Sequence, residues 1–216
     1  MKRFPSLVLL AALQLPGAHV QAAPVDDGIA ALQEEWAAAK YQVPPDKQDK
    51  AFTTLTARAE ALAAENPGRA EPLVWEAIII SSHAGATGGL GALGKVKKAR
   101  ELLEKAEKID PNALHGSVYT SLGSLYYQVP GWPLAFGDHK KAEEYLKKAL
   151  AMNPDGIDPN YFYGDFLREE KRYQEAAQYL QKAVKAPDRP GRAVADAGRR
   201  EEARQALARV EAELKG

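Results

Sequence analysis

Four segments of this chain share a pattern that restricts the fold to stacked helices. Each segment is amphipathic and ends in a proline turn, and the four prolines (Pro67, Pro111, Pro154 and Pro187) lie 44, 43 and 33 residues apart. In residues 142–150, apolar residues fall at i, i+3, i+4, i+7 and i+8, which is one face of an α-helix. Proline ends each helix because it has no amide hydrogen to donate.

Each of these helices follows a second apolar segment, so the repeated unit is a helix–turn–helix. The upstream segments, residues 73–83, 114–128 and 159–170, carry the aromatic and large aliphatic side chains. A fixed period of this kind is typical of repeat proteins, in which each unit buries its apolar face against its neighbours. The predicted repeats span about 29–67, 70–111, 113–154 and 158–187, within a repeat domain of residues 23–190.

The repeated pattern resembles the tetratricopeptide repeat. The resemblance is closest in the fourth repeat, where six residues match the small, aromatic, small, large, small and proline positions of that family: Gly164, Tyr173, Ala176, Leu180, Ala183 and Pro187. It implies an all-α fold, a right-handed superhelical stack of helix–turn–helix repeats. It also implies a binding or scaffold protein with a protein or peptide partner and without a cofactor.

A second, partial resemblance concerns residues 131–150, GWPLAFGDHKKAEEYLKKAL. This glycine–tryptophan–proline segment before a charged helix is similar to the tetratricopeptide-type T component of tripartite periplasmic transporters. That resemblance implies an alternative function, a small-molecule-binding accessory component of a solute transporter. The known T components are larger and typically lipid-anchored, whereas this chain contains no cysteine.

Repeats two and three are longer than the usual unit of about 34 residues. The additional residues, 85–94 and 129–138, are rich in glycine and proline, and we predict long loops there on one edge of the stack. Trp132 and Phe136 are bulky apolar residues within the second of these loops. Such residues either contact a ligand or fold back over the core, and the sequence leaves both alternatives open.

The two ends of the chain have separate predicted roles. Residues 1–22 combine Lys2 and Arg3 with an apolar run of nine residues and small residues before the expected cut, which predicts a cleavable secretory signal peptide. We therefore predict a periplasmic or secreted protein without a membrane span in its mature chain. Residues 191–216 are highly charged and predict a C-terminal helix that caps the stack.

The remaining composition favours binding over chemistry. Removal of Lys2 and Arg3 leaves 27 basic and 29 acidic residues, so nothing indicates nucleic acid as a partner. The few histidines lack metal-ligand spacing, and no segment forms the sharp turn of a catalytic serine. We expect no catalytic residues, metal or cofactor. Polar aromatic side chains on first helices and in the loop are the predicted binding residues: His83, His115, Tyr127, Trp132, Phe136, Tyr161 and Tyr163.

Overall fold

The structure, a computed structural model, describes residues 25–216, and the predicted signal peptide therefore lies outside the described residues. Within this range the chain is all-α, as the sequence predicts. The helices are α1 (Val25–Tyr41), α2 (Pro45–Glu65), α3 (Ala70–Thr87), α4 (Gly91–Ile109), α5 (Ser117–Gln128), α6 (His139–Met152), α7 (Ile157–Glu169), α8 (Tyr173–Lys185) and α9 (Ala193–Glu213). A short 3-10 turn, Ala113–Gly116, precedes α5.

Helices α1 to α8 pack as four consecutive pairs, and small residues set their separation. In the third pair, a Cβ atom on Gly123 of α5 would lie 2.6 Å from Leu146 Cγ of α6. In the fourth pair, a Cβ atom on Gly164 of α7 would lie 2.8 Å from Leu180 Cγ of α8. Both contacts are too close for any larger residue without movement, so glycine permits the two helices of each pair to approach closely.

The predicted long loop of repeat two is wrong. Helix α3 continues to Thr87 and α4 begins at Gly91, so that only three residues connect them. Gly88 and Gly89 have φ angles of 65° and 56°, in the left-handed region that favours glycine, and they reverse the chain within that short turn. The additional residues lengthen both helices instead of forming a loop. Only repeat three has a long connection, residues 129–138.

Helix α9 does more than cap the end of the stack. It packs on α8, and it also contacts α7 and α1. Gly198 allows this approach, since a Cβ atom there would lie 2.4 Å from the ring of Tyr41. The Tyr41 hydroxyl donates a hydrogen bond to Glu202 Oε2 at 3.2 Å. The first and last described helices therefore touch, and the inner face of the stack becomes a bounded pocket.

None of the helices within residues 25–216 is both long and apolar enough to cross a bilayer.

Candidate functional site: a pocket on the inner face of the stack

A pocket of about 380 Å³ lies between the first helices of the four pairs, α1, α3, α5 and α7, and helix α9. Its volume is at the lower end of the range of roughly 300–1,000 Å³ that is typical of ligand sites. One wall is rich in hydroxyl groups, a second is aromatic, and one end is charged. We call this feature the inner pocket.

The hydroxyl wall comes from α3 and α5. Ser117, Ser121 and Ser124 lie at i, i+4 and i+7, so one face of α5 turns three hydroxyl groups toward the pocket. On α3, Ser82 Oγ donates to the carbonyl of Ile78 at 3.0 Å and accepts from Trp36 Nε1 at 2.8 Å. Hydroxyl groups can both donate and accept, so this wall can satisfy a polar ligand of either kind.

The aromatic wall is formed by two edge-on pairs. The rings of Trp36 and Trp75 have centroids 6.0 Å apart, and those of Tyr161 and Phe162 are 5.0 Å apart. The Arg199 guanidinium lies 4.6 Å from the ring centroids of both Tyr161 and Phe162. These rings offer apolar surface beside a cation, an arrangement that suits a ligand with an apolar body and a polar group.

The charged end of the pocket is organised around Asp158 at the start of α7. Its two carboxylate oxygens accept from Arg199 Nε at 2.8 Å and from an Arg189 terminal nitrogen at 2.7 Å. Gly156 is the N-cap residue of α7, so Asp158 lies within the first turn of that helix. Asp158 links α7 to α9 and to the connection that leads into it.

The charged groups at the Asp158 end of the inner pocket shift one another's pKa values. Burial alone would raise the pKa of Asp158, but the charges of Arg199 and Arg189 outweigh burial and hold that pKa at about 2. Burial opposes the charge on Arg199, yet Tyr41, Asp158 and Glu202 together raise its pKa above the ordinary value. Burial raises the pKa of Tyr161 to about 12, so its phenol stays protonated in the pocket. The ion pairs therefore remain intact at any physiological pH.

Among the seven predicted binding residues, Tyr161 lines the inner pocket and the other six lie elsewhere. His83 is buried between α2 and α3, where its ring nitrogens lie 3.4 Å from Thr53 Oγ1 and 3.3 Å from Thr56 Oγ1. Burial, together with the charge of Lys95, lowers the pKa of His83. The expectation that His83 is an exposed groove residue is therefore wrong, because its face of α3 is covered by α2.

Tyr127 and Tyr163 are also buried, although their polar tips suggested contact with a ligand. The Tyr127 hydroxyl donates to Asp165 Oδ2 at 2.8 Å, across the interface of α5 and α7. The ring of Tyr163 lies 4.7 Å from that of Tyr179 of α8. Each hydroxyl finds a partner within the fold, so these side chains hold neighbouring helices together. His115 lies in the turn before α5 rather than on that helix, and it is exposed.

In the loop of residues 129–138, Trp132 and Phe136 differ: one side chain packs on the core and the other is exposed. Phe136 folds inward: its ring lies 5.6 Å from the Tyr126 ring, with the Arg100 guanidinium 4.4 Å from its centroid. Trp132 points outward and is 89% exposed. Phe136 is thus part of the packing, and Trp132 is free to meet a partner.

Because Phe136 is packed and Trp132 is exposed, alanine substitutions at the two positions should have different effects on stability. Phe136→Ala should lower the free energy of unfolding by about 2 kcal/mol, since it removes a half-buried ring. Trp132→Ala should change it by less than about 0.5 kcal/mol, because its ring contributes little burial. Urea unfolding followed by circular dichroism measures both. Equal destabilisation by the two variants would show that Trp132 packs on the fold as well.

Sequence reasoning missed the charged end of the inner pocket. Arg189, Arg192 and Arg199 all line it; Arg192 and Arg199 come from the segment that we interpreted only as a cap, and Arg189 lies just before it. A signal was present, since several arginines follow the last repeat around two prolines and a glycine. Nothing local indicated that this segment returns to α1. Within residues 25–216, no group of three metal-ligating side chains is placed to hold a metal ion.

Comparison with known proteins identifies the repeats. Two family models, both described as tetratricopeptide repeat, match residues 90–113 and residues 134–190. The first match includes all of α4. The second runs from the loop before α6 to the end of the fourth pair.

One curated relative and several solved structures are also similar. The Sol locus transcriptional repressor of Clostridium acetobutylicum is 37% identical over 68 residues, which are 32% of this chain and 19% of that protein. The chain therefore spans about a fifth of the length of this relative.

MamA AMB-1 is 19% identical with a TM-score of 0.48, covering 86% of this chain and 94% of that one. A thermophilic TPR protein of Thermus thermophilus is 16% identical with a TM-score of 0.45, covering 86% and 100%. Neither structural likeness is close enough to indicate a function. The matched segments, residues 90–113 and 134–190, are therefore tetratricopeptide repeats, and the paired helices agree with that assignment.

Proposed function

We propose that this protein is an exported interaction module that binds a short segment of a partner protein in its inner pocket. Tetratricopeptide repeats support an interaction scaffold as the general function. The observation that carries the more specific proposal is the composition of the pocket wall. The first helices of all four pairs contribute to it, and they place hydroxyl, aromatic and charged groups around one space.

The size of the pocket limits what the partner inserts. A volume of about 380 Å³ suits one or two side chains, or a chain end, rather than a long extended peptide. The contact between α9 and α1 imposes this limit, because it closes what would otherwise be an open groove. The exposed Trp132 on the 129–138 loop is a second proposed contact, for the part of the partner that stays outside.

A small-molecule-binding accessory function is the second candidate, and the bounded pocket favours it. An open groove is expected of a peptide binder, whereas a solute binder needs an enclosed site. The inner pocket has the volume and the mixed polar and apolar lining of a small-ligand site. The capture experiment with a pocket-filling variant, described below, separates the two candidates.

The export component of the proposal is supported by the sequence of residues 1–22. Cleavage after Ala22 gives a mature chain that begins at Ala23, two residues before α1. Fractionation of the source cells and N-terminal sequencing of the protein test this. Full-length protein in the cytoplasmic fraction would contradict it.

A variant that fills the inner pocket tests the binding proposal. Ser121→Trp places a large ring on the hydroxyl wall, and Gln181→Trp places the same ring on the exposed side of α8 as a control. We expect wild type and Gln181→Trp to capture the same protein from an envelope extract, and Ser121→Trp to capture at least about tenfold less. Mass spectrometry should search the eluates for proteins and small molecules alike.

The three possible outcomes of this comparison are distinct. A protein lost only from the Ser121→Trp eluate supports the peptide proposal. A small molecule lost only from that eluate supports the transporter-accessory candidate instead. Equal capture by all three proteins would rule out the inner pocket as the binding site. Circular dichroism of both variants confirms that the helices are retained.

A further inference from the structure

Arg192 differs from the other cations of the inner pocket because no carboxylate is paired with it. Arg189 pairs with Asp158 and Asp196, Arg199 pairs with Asp158 and Glu202, and Lys40 lies 3.8 Å from Glu202. Among the described residues, no acid forms an ion pair with Arg192, and none of its side-chain nitrogen atoms donates a hydrogen bond to the protein.

A second unpaired donor lies next to Arg192. The Trp75 side chain is only 4% exposed and lines the inner pocket, yet its Nε1–H group has no hydrogen-bond partner among the described residues. Arg192 Nε is likewise enclosed without a partner. The Arg192 guanidinium lies over the Trp75 ring, 5.1 Å from its centroid. Enclosed N–H groups without partners reduce stability, and native proteins usually satisfy them with a ligand or a water molecule.

The charges around this end leave one positive charge in excess. The pocket lining contributes four cations, Lys40, Arg189, Arg192 and Arg199, against the two acids Asp158 and Glu202. Asp196, held by Arg189, adds a third negative charge. A ligand with a single negative charge would neutralise this excess, whereas a dianion would leave one negative charge in excess.

We propose that the Arg192–Trp75 corner of the inner pocket binds a carboxylate group carried by a ligand with an apolar or aromatic body. Arginine favours carboxylates because its planar fork can donate two parallel hydrogen bonds. The Arg192 guanidinium supplies the charge, and the neighbouring Trp75 N–H group is a further donor at the same corner. The rings of Trp36, Trp75 and Tyr161 receive the apolar body. The proposal rests on the inner pocket as the binding site of the proposed function.

The indole N–H signals in an NMR spectrum provide a direct test. The chain has three tryptophans, and their N–H groups differ: that of Trp36 donates to Ser82, that of Trp75 is unpaired, and Trp132 is exposed. The full chain expressed with 15N-labelled tryptophan should give three indole peaks, and Trp75→Phe and Trp132→Phe assign them. We expect phenylacetate to move the Trp75 peak downfield in a saturable manner and to leave the Trp132 peak in place.

Matched ligands test whether binding depends on the carboxylate charge, on the apolar body or on both together. Phenylacetamide has the same shape without the charge, and inorganic phosphate has charge without the apolar body. Sodium chloride at equal ionic strength controls for screening. All three should leave the Trp75 peak within the scatter of the blank. An equal response to phenylacetamide or phosphate would overturn the proposal, and so would a peak that phenylacetate does not move.

Variants of Arg192 test its role separately from folding. Arg192→Gln should weaken phenylacetate binding by at least about tenfold, and Arg192→Lys should restore part of it, because a charge without the fork remains. Arg209→Gln, on the exposed part of α9, is the matched control and should bind as wild type. Since the Arg192 side chain makes no ion pair to other described residues and its contact with the Trp75 ring contributes only about 0.5–1 kcal/mol, its variants should remain folded and unfold within a few degrees of the wild type. Wild-type affinity in Arg192→Gln would contradict the proposal.

A carboxylate can come from a free acid or from the end of a peptide chain, and one further pair of ligands distinguishes these sources. Acetyl-Ala-Phe with a free carboxylate is compared with its C-terminal amide. Tighter binding of the free peptide than of phenylacetate indicates a chain end, and binding of phenylacetate alone indicates a small acid; both outcomes support the carboxylate site. Loss of partner capture in Ser121→Trp is an independent result, so this proposal can fail while the proposed function stands.

Discussion

Asp158→Asn should lower the free energy of unfolding by about 3 kcal/mol at pH 7. The substitution leaves Arg189 and Arg199 without the carboxylate that they share, at a site where Asp158 is only 27% exposed and Arg199 9% exposed. Removal of one partner from a buried ion pair costs roughly 3–5 kcal/mol, and the partial exposure of Asp158 favours the lower end. We expect the loss to affect α9 most, because these pairs fix α9 to α7.

The pH dependence of this effect has a definite sign. The pKa of Asp158 is about 2 in the folded protein against 3.8 ordinarily, so its contribution is complete above pH 3.8 and is lost as the pH falls toward 2. That difference corresponds to about 2 kcal/mol. Wild type and Asp158→Asn should therefore differ most at neutral pH and less near pH 2.

Urea unfolding across this pH range, together with amide hydrogen exchange in α9, measures the effect of Asp158→Asn. Asp155→Asn is the matched control, since Asp155 is exposed in the connection just before α7 and should change stability by less than about 0.5 kcal/mol. If Asp158→Asn matched this control at pH 7, the ion pairs would not hold α9 in place.

Gly123→Val should destabilise the third helix pair by about 3 kcal/mol. The first added carbon would lie 2.6 Å from Leu146 Cγ and 3.2 Å from the Leu146 backbone nitrogen, and the backbone cannot rotate away. Insertion of atoms into a packed interface costs roughly 1–3 kcal/mol, and the backbone contact places this case at the upper end. For a domain of this size, the midpoint of thermal unfolding should fall by about 10 °C.

Gly94→Ala is the matched control for the glycine prediction. Gly94 lies within α4 with no atom within 4 Å of an added Cβ, so alanine should stabilise the protein by about 0.4–1 kcal/mol. Calorimetry of both variants measures the difference. A Gly123→Val protein that melts with the wild type would show that α5 and α6 are not packed as closely as described.

The helices and their pairing could be predicted from the sequence because they depend on local periodicity. Apolar spacing defined the second helices, and the prolines at 67, 111, 154 and 187 marked their ends. The prediction of a long loop in repeat two was wrong because the local sequence was ambiguous. Glycine- and alanine-rich segments can form either loops or helix ends, and the packing of α3 against α4 decided in favour of helix.

The candidate site was harder to predict because it depends on which face of each helix its neighbours cover. Polar aromatic residues on first helices were reasonable candidates, yet α2 covers His83, and Tyr127 is buried with its hydroxyl on Asp165 of α7. A tyrosine with a satisfied hydroxyl in the core and one that lines a pocket look alike in sequence. Only Tyr161 of the predicted residues reached the inner pocket.

The sequence by itself determined a stack of paired helices, since 3.6-residue periodicity and proline turns act over a few residues. Only the tertiary structure decided that the stack closes on itself. That closure depends on contacts such as Tyr41 with Glu202, 161 residues apart, and on the ion pairs of Asp158 with Arg189 and Arg199. No local pattern records such distant pairings, so the inner pocket and the unpaired Arg192 became visible only when the helices were assembled.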